Sequence, residues 1–250
     1  MIIHKKLKVS ESDLYIEIPL TKMDKNLKAV ITLNRAGDMG FLLKDKLHYR
    51  SNFYKLLKIQ DSSVFTINQK HTKRVFVVEE DDKPTDFYTQ EGDGFITSLC
   101  WPILGVTAAD CLPLFLLDKI GSTYGIVHSG WQGTGIVVSA LQLLKQRFKV
   151  APENIIVIMG PAIGSCCYNV SLSRAQVFCH RFGNTAIEKR NGEYYLDLRQ
   201  ANINLLLSQG VDDIIVIDDC TCCNSLYGSY RREGERNFNK MLALIGPLHA

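Results

Sequence analysis

The stretch Thr107–Thr134, TAADCLPLFLLDKIGSTYGIVHSGWQGT, limits what this chain can fold into more than any other part of it. Two apolar runs, Leu112–Leu117 and Tyr124–Val127, flank Asp118, Lys119, Gly121 and Ser122. Turn formers between two such runs predict a β-hairpin. Cys111 precedes the first run and His128 follows the second. A hairpin lays the start of one strand beside the end of the next, so the thiol and the imidazole become neighbours, to within a residue or two of register. Beyond His128, the loop Ser129-Gly130-Trp131-Gln132-Gly133-Thr134 leads into residues with helical spacing: Ile136, Val137, Ala140, Leu141, Leu144 and Phe148. Thr134 is the expected N-cap. A glycine-bearing loop entering a helix offers free amide groups to an anion. Ser129, Gly130, Gln132 and Gly133 are the expected members of that cradle.

Strands are predicted at Leu14–Ile18, Ala29–Leu33, Ser63–Ile67, Val75–Val78, Phe95–Ser98, Ile155–Met159 and Ile214–Ile217, and a short extended piece at Tyr194–Leu198. Helices are predicted over 47–58, 172–181 and 197–209, the last ended by Gly210. Asn34–Gly40 and Glu79–Gly92 read as loops. Strands and helices alternate without a clean βαβ period. A mixed-sheet α/β sandwich is therefore expected, and not a doubly wound fold. No repeat, linker or low-complexity tract divides the chain, so a single domain over 1–250 is expected.

Apolar residues make up 46% of the chain, enough for a sizeable core. The 29 basic and 26 acidic residues leave a charge of +3. Lys70, Lys73 and Arg74, and the pair Arg231–Arg232, are local concentrations and not the basic stripe of a nucleic-acid protein. The N-terminus lacks a secretory apolar core, and no run approaches a membrane span of about 18 residues. Two of the eight cysteines' groupings are adjacent pairs, Cys166–Cys167 and Cys222–Cys223. Reduced thiols in a cytoplasmic protein are the simpler reading.

Cysteine beside histidine supports two chemistries. One is zinc, which in a catalytic site takes three protein ligands and leaves a position open. His71, in a polar break between two predicted strands, is the expected third ligand to Cys111 and His128. His4, His48, His180 and His249 lie in less suggestive surroundings. The other is metal-free, with Cys111 as nucleophile and a histidine as its base. Asp93 and Asp110 are candidate proton-transfer groups, or turn caps. Cys220, Cys222 and Cys223 suggest a metal knuckle, but they do not read as a C-x-x-C pair and have no evident partner pair; core or loop thiols are the plainer reading. Gly160–Gly164 reads equally as an anion loop and as a strand-end turn.

At these residues the chain resembles a bacterial family once described as multicopper polyphenol oxidases, or laccase-domain proteins (the YfiH-like family), and now regarded as purine nucleoside phosphorylases. The matching stretches are Gln69-Lys70-His71, Asp93-Gly94-Phe95-Ile96-Thr97, TAADCLP (107–113), HSGWQGT (128–134), GPAIGSCCYNV (160–170), DLRQAN (197–202) and SYRREGER (229–236). Several strings recurring in order make the resemblance specific. It implies a four-layer α/β/β/α sandwich similar to certain cysteine hydrolases of the CNF type. It implies a zinc enzyme, copper being the less favoured metal, that cleaves adenosine, inosine, guanosine and methylthioadenosine with phosphate and also deaminates adenosine. Its metal ligands map onto His71, Cys111 and His128. Purine nucleosides and phosphate are the implied partners, without nucleic acid or membrane.

The resemblance weakens in the N-terminal third. The family's Phe-Ser-Thr-Arg-x-Gly-Gly loop is here Ile31-Thr32-Leu33-Asn34-Arg35-Ala36-Gly37, and its Trp-Arg-Gly is Trp131-Gln132-Gly133. Arg35 inherits the loop's arginine; with Arg231 it is the expected holder of phosphate or ribose. Laccase chemistry needs a blue-copper site and further copper ions with their own histidines. Six histidines without a His-x-His pair cannot supply them. The chain also lacks the H-x-E and P-C-x-x-C signature of the nucleobase zinc deaminases, so any deamination uses another arrangement. Two rival readings are a cysteine hydrolase acting in peptidoglycan precursor editing and a non-enzymatic metal-binding protein.

Overall fold

The computed structural model describes residues 1–20, 27–41 and 47–248. In chain order the strands and helices are β1 (Ile2–Lys5), β2 (Tyr15–Ile18), β3 (Lys28–Thr32), α1 (Leu47–Leu56), β4 (Val64–Phe65), β5 (Phe76–Val77), β6 (Gly94–Thr97), β7 (Ile103–Ala108), β8 (Leu112–Asp118), β9 (Tyr124–Ser129) and α2 (Ile136–Phe148). They continue with β10 (Ile155–Met159), β11 (Asn169–Val170), α3 (Leu172–Phe182), β12 (Ile187–Arg190), β13 (Glu193–Leu196), α4 (Leu198–Ser208), β14 (Asp213–Ile217), α5 (Tyr230–Glu233) and β15 (Met241–Gly246).

Three sheets form: β1-β14-β10-β8-β9-β6-β5, β2-β3-β15-β7-β4 and the small β11-β13-β12. The two larger ones are mixed. β1, β14 and β10 run parallel, as do β5 with β6 and β4 with β7, while the other pairs within those two sheets are antiparallel. The fold is thus a mixed α/β arrangement with several mixed sheets.

The predicted hairpin is β8–β9, at the middle of the seven-stranded sheet. All seven residues of β8 are buried, because each face meets an apolar layer. Phe115 and Leu117 join Ile126, Ile158 and Ile215 against Ile31, Leu104, Val106 and Ala243 of the five-stranded sheet. Leu112, Leu114 and Leu116 point the other way, against Ile136, Val137, Ala140 and Leu144 of α2 and Leu206 of α4. The far face of the five-stranded sheet, with Val30, Ile103, Leu242 and Leu244, packs on Phe53 and Tyr54 of α1. Among the described residues no helix is long and apolar enough to cross a membrane.

Two strands absent from the sequence reading, β7 and β15, pair at the centre of the five-stranded sheet from Met241–Ala108 to Ile245–Leu104. Both are buried along their whole length. A strand covered on both faces has no alternation to read. α2 also differs in detail. Its N-cap is Gly135, in the left-handed region at φ +104°. Thr134 instead donates its hydroxyl to the Gly130 carbonyl at 2.7 Å.

Candidate active site

Pro113 faces His128 and Leu112 faces Ser129 across the hairpin. Cys111 therefore stands two positions beyond the partner of His128, at the open end of the strand pair. The third group arrives on the 66–75 connection, which leaves the five-stranded sheet at β4 and enters the seven-stranded sheet at β5. Two anchors hold it. Gln69 donates to the Thr107 carbonyl at 2.8 Å and accepts from the Thr107 amide at 2.7 Å and hydroxyl at 2.9 Å. The fully buried Asp93 carboxylate accepts from the backbone amides of Lys70, His71 and Thr72 and from the Thr72 hydroxyl. Between these anchors His71 adopts φ +58°, a conformation uncommon outside glycine. Its Nε2 comes within 3.7 Å of Cys111 Sγ.

Asp93 also accepts from His128 Nδ1 at 2.9 Å, and its carbonyl accepts from the His128 amide at 2.7 Å. The carboxylate thereby orients the ring and turns Nε2 toward Cys111, as second partners of metal-bound histidines do. One ligand atom from each of His71, Cys111 and His128 lies within 4.8 Å of the others. Gly130 makes that approach possible. A Cβ there would stand 2.8 Å from both Cys111 Sγ and His71 Cδ2.

Electrostatics follow from this packing. Burial pushes the Cys111 thiol up, but the neighbouring His128 and then His71 overcome it and hold the thiol at about 6. Burial lowers His128, and the Cys111 thiolate and Asp93 together raise it to about 9. Burial likewise works against the Asp93 carboxylate, yet His128 and Thr72 keep it below the usual carboxylate range. A thiolate, an imidazole and a carboxylate in a row can bind a soft cation, or can act as nucleophile, base and orienting group.

The three side chains border a cavity of about 420 Å³. Asp110 also lines it, at φ +86°. Its two oxygens accept from the Thr221 hydroxyl and the Arg231 amide, each at 2.7 Å. The walls supply groups that the sequence reading passed over: Trp131, Tyr168, Tyr230 and Phe238, with the cations Arg174 and Lys240 beside the expected Arg231. Arg174 sits 4.4 Å over Trp131, and Arg231 sits 5.3 Å from the Tyr168 ring centroid. These residues are scattered along the chain, and only topology gathers them.

Several expected positions fall elsewhere. Arg35 is exposed, donates to the Glu11 carbonyl at 3.0 Å and does not line the cavity. Ser129 is fully buried against Asn202, and Gln132 points to solvent. A Cβ on Gly133 would stand 3.1 Å from the Thr72 carbonyl oxygen and 3.4 Å from that of His71. The 129–134 loop thus sets Gly130 against the thiol–imidazole cluster and Trp131 in the cavity wall. The 160–164 turn spends its amides internally: Gly160 on Pro113, Ala162 on Asp219, Ile163 on Asp110 and Gly164 on Cys220 Sγ. Asp93, sealed from the cavity, orients His128. His4 pairs with Asp218, and His249 lies outside the described residues.

Other residues of the matching motifs are scaffolding around this cavity. In DLRQAN, Asp197 caps α4 by accepting from the Gln200 amide, and the buried Arg199 donates to the carbonyls of Ala162, Ile217 and Asp219. In SYRREGER, Ser229 caps α5, and Arg232 donates to the carbonyls of Thr221, Cys222, Asn224 and Tyr227.

Known proteins share this fold. The chain is 32% identical over 167 residues to a purine nucleoside phosphorylase of Aquifex aeolicus, covering 66% of this chain and 74% of that protein. It is 31% identical over 179 residues to adenosine deaminase RL5 from an unknown prokaryotic organism, covering 66% and 68%. The crystal structure of YlmD from Geobacillus stearothermophilus superposes with a TM-score of 0.80 at 28% identity, over 89% of this chain and 92% of that one. A family profile described as "Multi-copper polyphenol oxidoreductase laccase" matches residues 38–247, and the chain belongs to that laccase-domain family, together with its YfiH- and YlmD-type purine nucleoside phosphorylases.

Proposed function

We propose that this chain is a zinc-dependent purine nucleoside phosphorylase, acting on adenosine, inosine, guanosine and methylthioadenosine, with adenosine deamination as a side activity. The observation that carries the reading is the convergence of His71 Nε2, Cys111 Sγ and His128 at the edge of a cavity of nucleoside size. Two nitrogens and one thiolate with an open side match what zinc takes at a catalytic site, and Asp93 behind His128 completes the usual support. When bound there, zinc supplies a Lewis acid at the cavity edge. The relatives named for phosphorolysis and for deamination support the same family of reactions.

The chain's own groups divide the remaining work. The faces of Tyr168, Tyr230 and Phe238 hold the purine by stacking and exclude water. Arg231, Arg174 and Lys240 hold the phosphate, and Arg231 is oriented by its bond to the Cys167 carbonyl at 2.9 Å. Asp110 presents a carboxylate at the cavity wall, each oxygen keeping a lone pair beyond the bond it accepts, and serves the proton transfer. Copper oxidation is disfavoured, because six histidines in all cannot furnish a multicopper set. We read the stacked layers as the α/β/β/α sandwich of CNF-type hydrolases and the 250 residues as one cytoplasmic domain.

Purified protein incubated with adenosine and phosphate is expected to yield adenine with ribose 1-phosphate, and a smaller amount of inosine or hypoxanthine. Zinc restores both after chelation. No turnover of any purine nucleoside at any zinc loading rejects the reading. The Asp93–His128–Cys111 row also favours a second one, a cysteine hydrolase. Inactivation by alkylation at Cys111, with turnover indifferent to zinc and chelator, selects it.

A further inference from the structure

Away from that cavity edge, four more thiols meet. Cys166 and Cys167 follow the 160–164 turn, and Cys220 and Cys223 follow β14. Ala162 and Cys220 form a parallel bridge that sets the two loops side by side. All four Sγ atoms lie within 4.8 Å of one another. Cys223 Sγ is 3.5 Å from Cys166 Sγ and 3.3 Å from Cys167 Sγ. These separations exceed a disulfide's S–S bond of about 2.0 Å, and every cysteine is unpaired. They fit another geometry. Thiolates at about 2.3 Å from one tetrahedral ion stand roughly 3.8 Å apart.

The surrounding backbone holds the sulfurs together. The Gly164 amide donates to Cys220 Sγ at 3.2 Å. Gly164 keeps the approach close, since a Cβ there would stand 3.0 Å from Cys166 Sγ and the thiol would have to shift. Three guanidinium groups clamp the same loops by their carbonyls: Arg190 on Ser165 at 2.5 Å, Arg231 on Cys167 at 2.9 Å, and Arg232 on Thr221 at 2.5 Å and Cys222 at 3.1 Å. These bonds fix the two loops that carry the sulfurs; Arg190 and Arg232 also pair with Glu188 and Glu233. Four sulfur donors leave no open position, which is the pattern of a structural site.

We propose that Cys166, Cys167, Cys220 and Cys223 form a second metal site, a closed tetrathiolate centre for one zinc ion, separate from the His71–Cys111–His128 site. Binding displaces the four thiol protons to solvent and forms four Zn–S bonds, with no change of oxidation state. The ion ties the 160–168 turn to the 220–224 loop. Through Ile163 and Tyr168 on the first, and Thr221 bonded to Asp110 on the second, it braces two walls of the cavity.

The test titrates reduced, metal-free protein with zinc alone. Wild type is expected to take up two equivalents and to release more than four protons. The count of two rests on the zinc reading of the first site, so a second arm removes that dependence. The variant Cys111→Ser with His71→Ala is expected to retain one equivalent, and its zinc X-ray absorption to show four sulfurs at about 2.3 Å. Cys220→Ser with Cys223→Ser is expected to lose one equivalent relative to wild type. The proposal is overturned if the Cys111→Ser, His71→Ala variant binds no zinc, or binds it without a four-sulfur shell. It is equally overturned if protein isolated under reducing, anaerobic conditions carries Cys223 in a disulfide.

Discussion

The two sulfur-bearing centres lie on neighbouring loops and differ in nearly every respect that matters chemically. At the first, one thiol meets two imidazoles beside an open cavity, and His128 is braced by a buried carboxylate. At the second, four thiols meet with no imidazole and no carboxylate among the donors. A mixed donor set with an unfilled side invites a reactant, whereas a complete set of sulfurs holds loops. The positive neighbours differ accordingly. Imidazoles pull the Cys111 thiol down to about 6, whereas Cys166 is pushed up to about 12 by burial and by the thiols beside it. Without a cation the four sulfurs compete for charge, and with one they share it.

The sharpest way to break this contrast is to remove one sulfur from each centre. Cys111→Ser is expected to drop phosphorolysis to background while the four-sulfur zinc remains. Cys223→Ser is expected to keep the larger part of turnover and to lose thermal stability. Zinc present at a thousandfold above its Kd stabilises the folded state by about 4 kcal/mol, so loss of the second ion lowers Tm by roughly 10 °C at this size. Equal loss of activity in the two variants removes the distinction.

A smaller effect is expected at the supporting carboxylate. Asp93→Asn keeps the shape but loses the charge behind His128 and changes what the 70–72 amides meet. Zinc affinity or kcat is expected to fall about 10- to 100-fold, read by competition with a chromophoric chelator and by kcat separately from KM. A change confined to stability, with kcat intact, assigns Asp93 to the scaffold alone. The mildest test is pH. The thiolate is the nucleophile, so in metal-free protein alkylation of Cys111 rises with pH, reaches half its maximum near 6 and then levels off. Cys166 stays protonated and unreactive across that range. Identical profiles by peptide mass mapping would erase the electrostatic difference between the centres.

What could be read from the chain follows the same division. The β8–β9 hairpin and the approach of Cys111 to His128 were legible because turn formers separate two short apolar runs. His71 was legible as a polar break between two strands. The second centre was passed over, its spacing misread. Cys220 and Cys223 stand in C-x-x-C spacing, but their partner pair is distant in sequence and is brought close by the bridge between Ala162 and Cys220. Strands β7 and β15 were hidden because burial on both faces erases alternation. Arg35 was assigned by likeness to a motif, and the structure turns its guanidinium to the Glu11 carbonyl instead. Arg174, Tyr230, Phe238 and Lys240 carry no local signal, since a cavity wall has no period.

His71 rides on the segment that passes from the five-stranded sheet to the seven-stranded one, pinned by Gln69 to the first and by Asp93 to the second. A chain caught with its hairpin made but its halves unstacked would own the thiol and one imidazole, and would lack the third donor. On the zinc reading, tight retention of the metal would therefore report that the two sheets have closed on each other.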